Sequence, residues 1–354
     1  MMRRRAFLGG VGAGVGMLKE GFAAPPMVIA DQVSPTPNDY SILVCGPRGG
    51  GIDRWGLAVA QGLRGGLSPH RPIQLHPVGG QDGVTGANRL QTVVVPDGRT
   101  AAMVPSDAAI AFLTGDTRVH FQLGDWISVL AGLSPAVVVV RGGLARLTDA
   151  APIRLAAASP ESQDLAALLA FQRLGVKTSP IFGLRGAPAV ARAFAAGEAD
   201  AALLTGEDVP ADAASLLAEG GIAIGTLGVV DDRDRVAIDP LLTALPTIHS
   251  IAGQRGAAPL SPPLERAYRA VAAASRIDFM MVLPHLTIPA TVAVWRQAAA
   301  GAIGSEALQA AAAASAVNLT VTGAAAAAAP LDVQADSLLA LRQFLDQHFG
   351  WHPS

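Results

Sequence analysis

The sequence predicts an α/β protein of two lobes, built on mostly parallel sheets covered by helices. Three observations carry that expectation. Strand-like and helix-like segments alternate along most of the chain, the pattern of parallel strands covered by helices. The 354 residues suffice for more than one core. Apolar residues make up 51% of the chain and charged ones 15%, a balance that favours folding over disorder.

The first thirty residues stand apart from the fold. Arg3-Arg4-Arg5-Ala6-Phe7-Leu8 precedes a short, weakly apolar run from Gly9 to Leu18, followed by small residues at Ala23-Ala24 and Ala30. A charged start, an apolar middle and small residues near a cleavage point describe a secretory leader over 1–30. The Arg-Arg-x-Phe-Leu order resembles a twin-arginine signal, and a general secretory route fits as well. The apolar run is shorter than the roughly 20 residues that span a bilayer, and Lys19 and Glu20 interrupt it. The mature chain is therefore expected outside the cytoplasmic membrane. Formal charge is −2; the leader holds four of the 26 basic and one of the 28 acidic residues, so its removal leaves −5. A mildly acidic body without a basic run argues against nucleic acid as a partner.

From Tyr40 the elements follow in order. Tyr40–Cys45 is an apolar strand ending in Gly46-Pro47-Arg48-Gly49-Gly50-Gly51, and Trp55, Val59 and Leu63 then recur at helical spacing. Ile73–His76 is a second strand, with a helix around Val84–Val94. Pro96-Asp97-Gly98 is a turn, and Thr100–Val104 is a third strand leading to Pro105-Ser106-Asp107. Ala136–Val140, wholly apolar, is a buried strand. Ile153–Ala158, Asp200–Leu204 and Ile222–Leu227 are further strands, with helices over Asp164–Leu174 and Ala187–Ala196. Helices follow near Pro263–Ala274, Ala290–Ala302, Ser305–Ala314 and Asp332–His348, whereas the alanine run Ala324–Ala329 is not expected to be firmly helical.

Cys45 is the lone cysteine, which excludes an internal disulfide and any multi-cysteine metal site. The glycine block offers chemistry: positive φ is open to it, and the helix start behind it presents unpaired N–H groups suited to a carboxylate or phosphate. Asp53 reads as a cap or brace of that helix start, with direct ligand contact as the alternative. Ile52-Asp53 stands where a nucleotide P-loop needs Lys-Ser/Thr, and the dinucleotide glycine pattern is not matched. No Gly-x-Ser-x-Gly elbow or His-Glu-x-x-His occurs, so no enzyme is expected. His348 and His352 share a spacing of four at the last helix end, where a frayed tail outweighs a metal site. Arg185, between Gly183 and Gly186, could clamp a carboxylate through its planar fork or be a solvated surface arginine.

The order of these loops resembles the extracytoplasmic receptors of tripartite tricarboxylate transporters, the Bug family. Their signature of a strand and Pro-Pro-Gly-Gly-Gly-Thr-Asp reads here Pro47-Arg48-Gly49-Gly50-Gly51-Ile52-Asp53. A glycine loop follows as Val78-Gly79-Gly80-Gln81-Asp82-Gly83-Val84-Thr85-Gly86, then the turn Asp97-Gly98-Arg99-Thr100. Later blocks match at Arg185-Gly186-Ala187-Pro188-Ala189, Gly197-Glu198-Ala199-Asp200 and Leu245-Pro246-Thr247-Ile248, so the likeness runs from residue 1 to about Gly323. It implies a type II periplasmic binding protein fold: one lobe from 38–133 plus 250–354, the other from 134–249, and ligand between them. It further implies capture of a di- or tricarboxylate, an acidic amino acid or an aromatic acid, with no cofactor and no catalysis. The partner would be a membrane permease of one large and one small subunit, served by a monomeric receptor.

The residues expected at the ligand are Arg48, Gly49, Gly50, Gly51, Ile52 and Asp53 of the first loop, with Gly80 and Ser106. Ser159, Ser162, Arg185, Gly186 and Asp200 are expected from the second lobe. Three departures bear on the ligand. Arg48 replaces a proline, Ile52 replaces a threonine, and Ala158-Ser159-Pro160-Glu161-Ser162-Gln163 replaces a glycine- and serine-rich stretch. Glu161 would repel a simple anion, or select a ligand that also carries an amine. A sensory or interaction protein on the same fold is the rival reading.

Overall fold

The computed structural model describes residues 39–67, 72–206, 208–231, 235–321 and 325–353; the leader expected over 1–30 lies outside them. The first third of the chain repeats one unit, a strand feeding a helix. β1 (Ser41–Cys45) leads to α1 (Gly51–Leu67), β2 (Gln74–Val78) to α2 (Val84–Thr92), and β3 (Thr100–Val104) to α3 (Ser106–Thr114). Trp55, Val59 and Leu63 form the buried stripe of α1, as their spacing predicts. Helix α2 lies close on β1 because position 86 has no side chain. A Cβ on Gly86 would stand 2.7 Å from the Cys45 backbone.

β4 (Ile127–Leu133) and β5 (Ala136–Arg141) are separated only by Ser134 and Pro135, yet belong to different sheets. The second sheet's segment then runs α4 (Gly143–Arg146), β6 (Ile153–Ala156), α5 (Leu165–Arg173), β7 (Thr178–Ile181) and α6 (Ala187–Ala195). It continues through β8 (Ala201–Thr205), α7 (Val209–Ala218) and β9 (Gly221–Thr226) to the small hairpin β10 (Val229–Val230) and β11 (Val236–Ala237). α8 (Ile248–Gln254) packs on α5 and β9, and α9 (Pro262–Ser275) precedes β12 (Ile277–Leu283), where the chain rejoins the first sheet. α10 (Pro289–Ile303), α11 (Glu306–Ala314), β13 (Asn318–Val321), α12 (Ala325–Ala328) and α13 (Ala335–Phe349) complete the order. The second alanine run thus makes a single helical turn.

The first sheet has the order β13-β4-β12-β3-β1-β2 and the second β7-β6-β8-β5-β9. β12 and β13 run against the other strands of the first sheet, and β5 alone is reversed in the second. Both sheets are therefore mixed with most strands pointing one way, as the alternating pattern implies. Pro77 in β2 and Pro180 in β7 fall on edge strands, where a missing N–H breaks no ladder.

Helix α9 joins the two halves. It packs against α3 and α13 on one side and α5 on the other, within a single apolar cluster that includes Leu165, Leu169, Ala270 and Val271. Beside it, the buried Arg276 reaches both crossings: Nε donates to the Ser134 carbonyl at 3.1 Å and Nη1 to the Gly228 carbonyl at 2.6 Å. Its Nη2 stands 2.8 Å from Asp239 Oδ2, a charge contact without hydrogen-bond alignment.

Candidate ligand-binding cleft

Five helices, α1, α3, α5, α6 and α7, start directly after strands β1, β3, β6, β7 and β8, and residues from each start line one cleft. This is where open α/β sheets bind ligands, because loops at strand carboxyl ends leave a crevice and helix starts point unpaired N–H groups into it. Two adjoining cavities fill the cleft, of about 890 and 630 Å³. Gln81, Asp107, Gln163, Ala187, Thr205 and Asp212 line both.

The glycine block builds one wall. Gly49 adopts φ +79°, and its N–H donates to Asp53 Oδ2 at 2.7 Å. A side chain in that left-handed conformation would be strained. Asp53 is buried and braces its own loop, so its carboxylate is engaged within the block. Gly50, Gly51 and Ile52 line the smaller cavity, where the first turn of α1 lacks carbonyls one turn back. Trp55 lines it too, with its indole N–H donated to the Asp278 carboxylate.

Ser106 also lines the smaller cavity. It is only 4% exposed, and its hydroxyl has no hydrogen-bond partner among the described residues. Ser159, Ser162, Arg185 and Gly186 line the larger cavity together with Glu161. Ser162 Oγ is occupied locally, donating to the Ser159 carbonyl at 2.8 Å. Arg185 is exposed.

Arg48, Gly49 and Gly80 are not among the lining residues; Gln81 takes the place beside Gly80. Asp200 lies outside the cleft as well. It stands just before β8, about 16 Å of extended chain from Thr205 at the cleft end. There Arg154 holds it, with Nη2 to Oδ1 at 2.6 Å and Nε to Oδ2 at 2.9 Å, and Arg146 adds a contact at 3.4 Å. The Arg154 hydrogen bonds pull the Asp200 carboxyl below its ordinary range, against a smaller effect of burial. Asp200 is thus a structural anchor of the second sheet, remote from the cavity walls.

Sequence reasoning missed Asp107, Gln163 and Asp212. Gln163 Nε2 donates to Asp107 Oδ1 at 2.9 Å, and its Oε1 accepts from Thr205 Oγ1 at 3.1 Å, so one amide links α3 to the second sheet. Burial pushes the Asp107 carboxyl above its ordinary value, opposed by the Gln163 bond and reinforced by the charge of Asp82. Burial likewise raises Asp164 and Asp212, with Asp208 reinforcing the latter. Arg118 lies between Asp116 and Asp82, at 2.6 and 2.7 Å. Trp351 closes part of the larger cavity, and the neighbouring Phe349 meets Phe182 edge to face at 5.9 Å. The only signal for Asp107 was its place three residues past a strand end. The C-terminal segment carried none, since the motif likeness stops near Gly323.

Compared by sequence, the chain matches no protein-family model and no curated protein. Compared by structure, it is similar to a TctC solute-binding protein from Polaromonas, with TM-score 0.61 and 18% identity, over 87% of this chain and 98% of that one. It is also similar to malate-bound MatC from Rhodopseudomonas palustris (0.50, 15%, 86% and 98%) and to the periplasmic binding protein BugD (0.50, 15%, 88% and 98%). With two mixed sheets flanking one cleft, the chain has the fold of the TctC- and Bug-type periplasmic solute-binding proteins.

Proposed function

We propose that the chain is a divergent tricarboxylate-type receptor that captures a small organic carboxylate outside the cytoplasmic membrane for a two-subunit permease. The observation that carries this reading is the cleft itself: helix starts from both sheets converge on cavities sized for a metabolite. In this reading the carboxylate sits on the N–H groups of Gly51 and Ile52, with the Ser106 hydroxyl beside it. The malate-bound neighbour supports an acid as ligand. Segments 38–133 plus 250–354 and 134–249 act as lobes that close on the ligand, hinging near Leu133–Val140 and near Leu227–Ser250. No helix among the described residues is long and apolar enough to cross a membrane.

A thermal-shift and calorimetry screen of small organic acids on the mature protein tests the reading, since a ligand specific to the native state raises its melting point. At least one acid should bind and compact the protein in small-angle scattering. Failure of every acid, amine-bearing ones included, would remove the receptor function.

A further inference from the structure

The cleft that the receptor reading requires has an unexpected charge. Six carboxylates line the larger cavity, Asp208 and Asp278 add two in the smaller, and the lining cations are Arg118 and Arg185 alone. Helix starts attract acids for local reasons, so the acids must be sorted before any is assigned to a ligand. Asp164 is spent on its own loop, accepting from the Ala158 N–H at 2.7 Å, with Ser162 Oγ 3.1 Å from the same oxygen. Asp82 and Asp116 share Arg118, and Asp278 holds Trp55. Asp107, Glu161, Asp208 and Asp212 remain, and of these only Asp107 and Asp212 line both cavities. Asp107 has one neutral amide on Oδ1 and no cation, and the Asp212 carboxylate has no partner among the described residues. They come from different halves of the protein, one on α3 and one on α7, and both line both cavities. The five helix starts supply about half a positive charge each, too little to balance the lining.

A second observation marks this place as a binding site. Ser106, next to Asp107, is more than nine-tenths buried and lines the cavity wall, and its hydroxyl has no hydrogen-bond partner among the described residues. A hydroxyl at a cavity wall without a protein partner is left to pair with whatever enters the cavity.

We infer that the ligand carries an ammonium or guanidinium group and at most one carboxylate, with its cation held between Asp107 and Asp212 and the Ser106 hydroxyl alongside. This rests on the receptor reading and narrows it: the anionic end lies at the α1 start, and the cationic end lies at the middle of the cleft. A dicarboxylate of equal length would place a second negative charge among unpaired acids.

Calorimetry on the mature protein with three matched series tests this: linear dicarboxylates, ω-amino acids and diamines of four to six carbons, with α-amino monocarboxylic acids alongside. Amine-bearing members should bind and dicarboxylates of the same length should not. Asp107→Asn and Asp212→Asn should each weaken the amine-bearing ligand about tenfold or more, the factor of one charge-assisted hydrogen bond. Ser106→Ala should weaken it less. Diamines binding best would uphold the cation site and overturn the carboxylate seat at α1. Dicarboxylates binding best, with affinity kept or improved in Asp107→Asn, would overturn the inference and leave the receptor standing. No binding by any amine-bearing member would also overturn it, and the organic-acid screen decides separately whether the receptor reading survives.

Discussion

Arg276 is the residue through which both crossings between the sheets are tied, and its removal should be severe. The side chain is 2% exposed and its ionic partner Asp239 is fully buried. Burial works against the guanidinium's charge, and the Asp239 carboxylate opposes that loss. In Arg276→Met most of the volume survives, but among the described residues Asp239 keeps a buried charge with only the Leu241 N–H at 3.0 Å. The Ser134 and Gly228 carbonyls lose the donors that Nε and Nη1 supply. Breaking a buried pair from one side costs about 3–5 kcal/mol, and the orphaned carbonyls fall within that figure because they share one desolvated site. Urea unfolding followed by circular dichroism measures the loss, and amide exchange at 134–137 and 228–230 should rise because the crossings lose their common pin. Removing both charges in Arg276→Met/Asp239→Leu should recover at least about 2 kcal/mol relative to additivity. A single-variant cost below about 1 kcal/mol, or simple additivity in the double variant, would refute the pin.

Three further expectations follow from the same contacts. Gly49→Ala should destabilise by about 1–2 kcal/mol in chemical denaturation through backbone strain alone, since nothing lies within 4 Å of the added Cβ. Asp200→Asn should leave ligand affinity unchanged while lowering stability by about 1 kcal/mol, the exposed Arg154 limiting the effect. Because the Asp200 carboxyl is held below its ordinary value, its contribution is present above about pH 4 and lost as pH falls through the lowered value, so wild type and variant should converge in acid. Trp351→Ala should lower the melting point and weaken only those ligands long enough to reach the larger cavity, as calorimetry across a length series will read.

Local pattern made much of the fold legible. Ala136–Val140 could be read as a buried strand because no polar residue interrupts it, and β1, β3 and β8 because each leads into a recognisable turn. β4 and β12 escaped, although β12 lies between β3 and β4 in the first sheet. Ser128 and Gly132 dilute the apolar signal of β4, and Asp278 breaks that of β12. Asp278 is tolerated there because Trp55, 223 residues earlier, donates its indole N–H to the carboxylate. That pairing is a product of folding, invisible to any local window.

The site divides along the same line. Residues at strand carboxyl ends, among them Gly50, Gly51, Ile52, Ser106 and Ser159, could be nominated from sequence because strand, turn and helix start follow one another within a few residues. Asp200 was nominated on motif order alone, which does not encode the end of a strand at which a residue stands. The charge of the cleft was decided entirely by tertiary structure. Asp107 and Asp212 are 105 positions apart, on helices of different sheets, and a chain of mild overall acidity gathers eight carboxylates around one cavity system. Sequence sets which ionisable groups exist, but their energies depend on distance and burial, and both arise only when the two sheets close over α9.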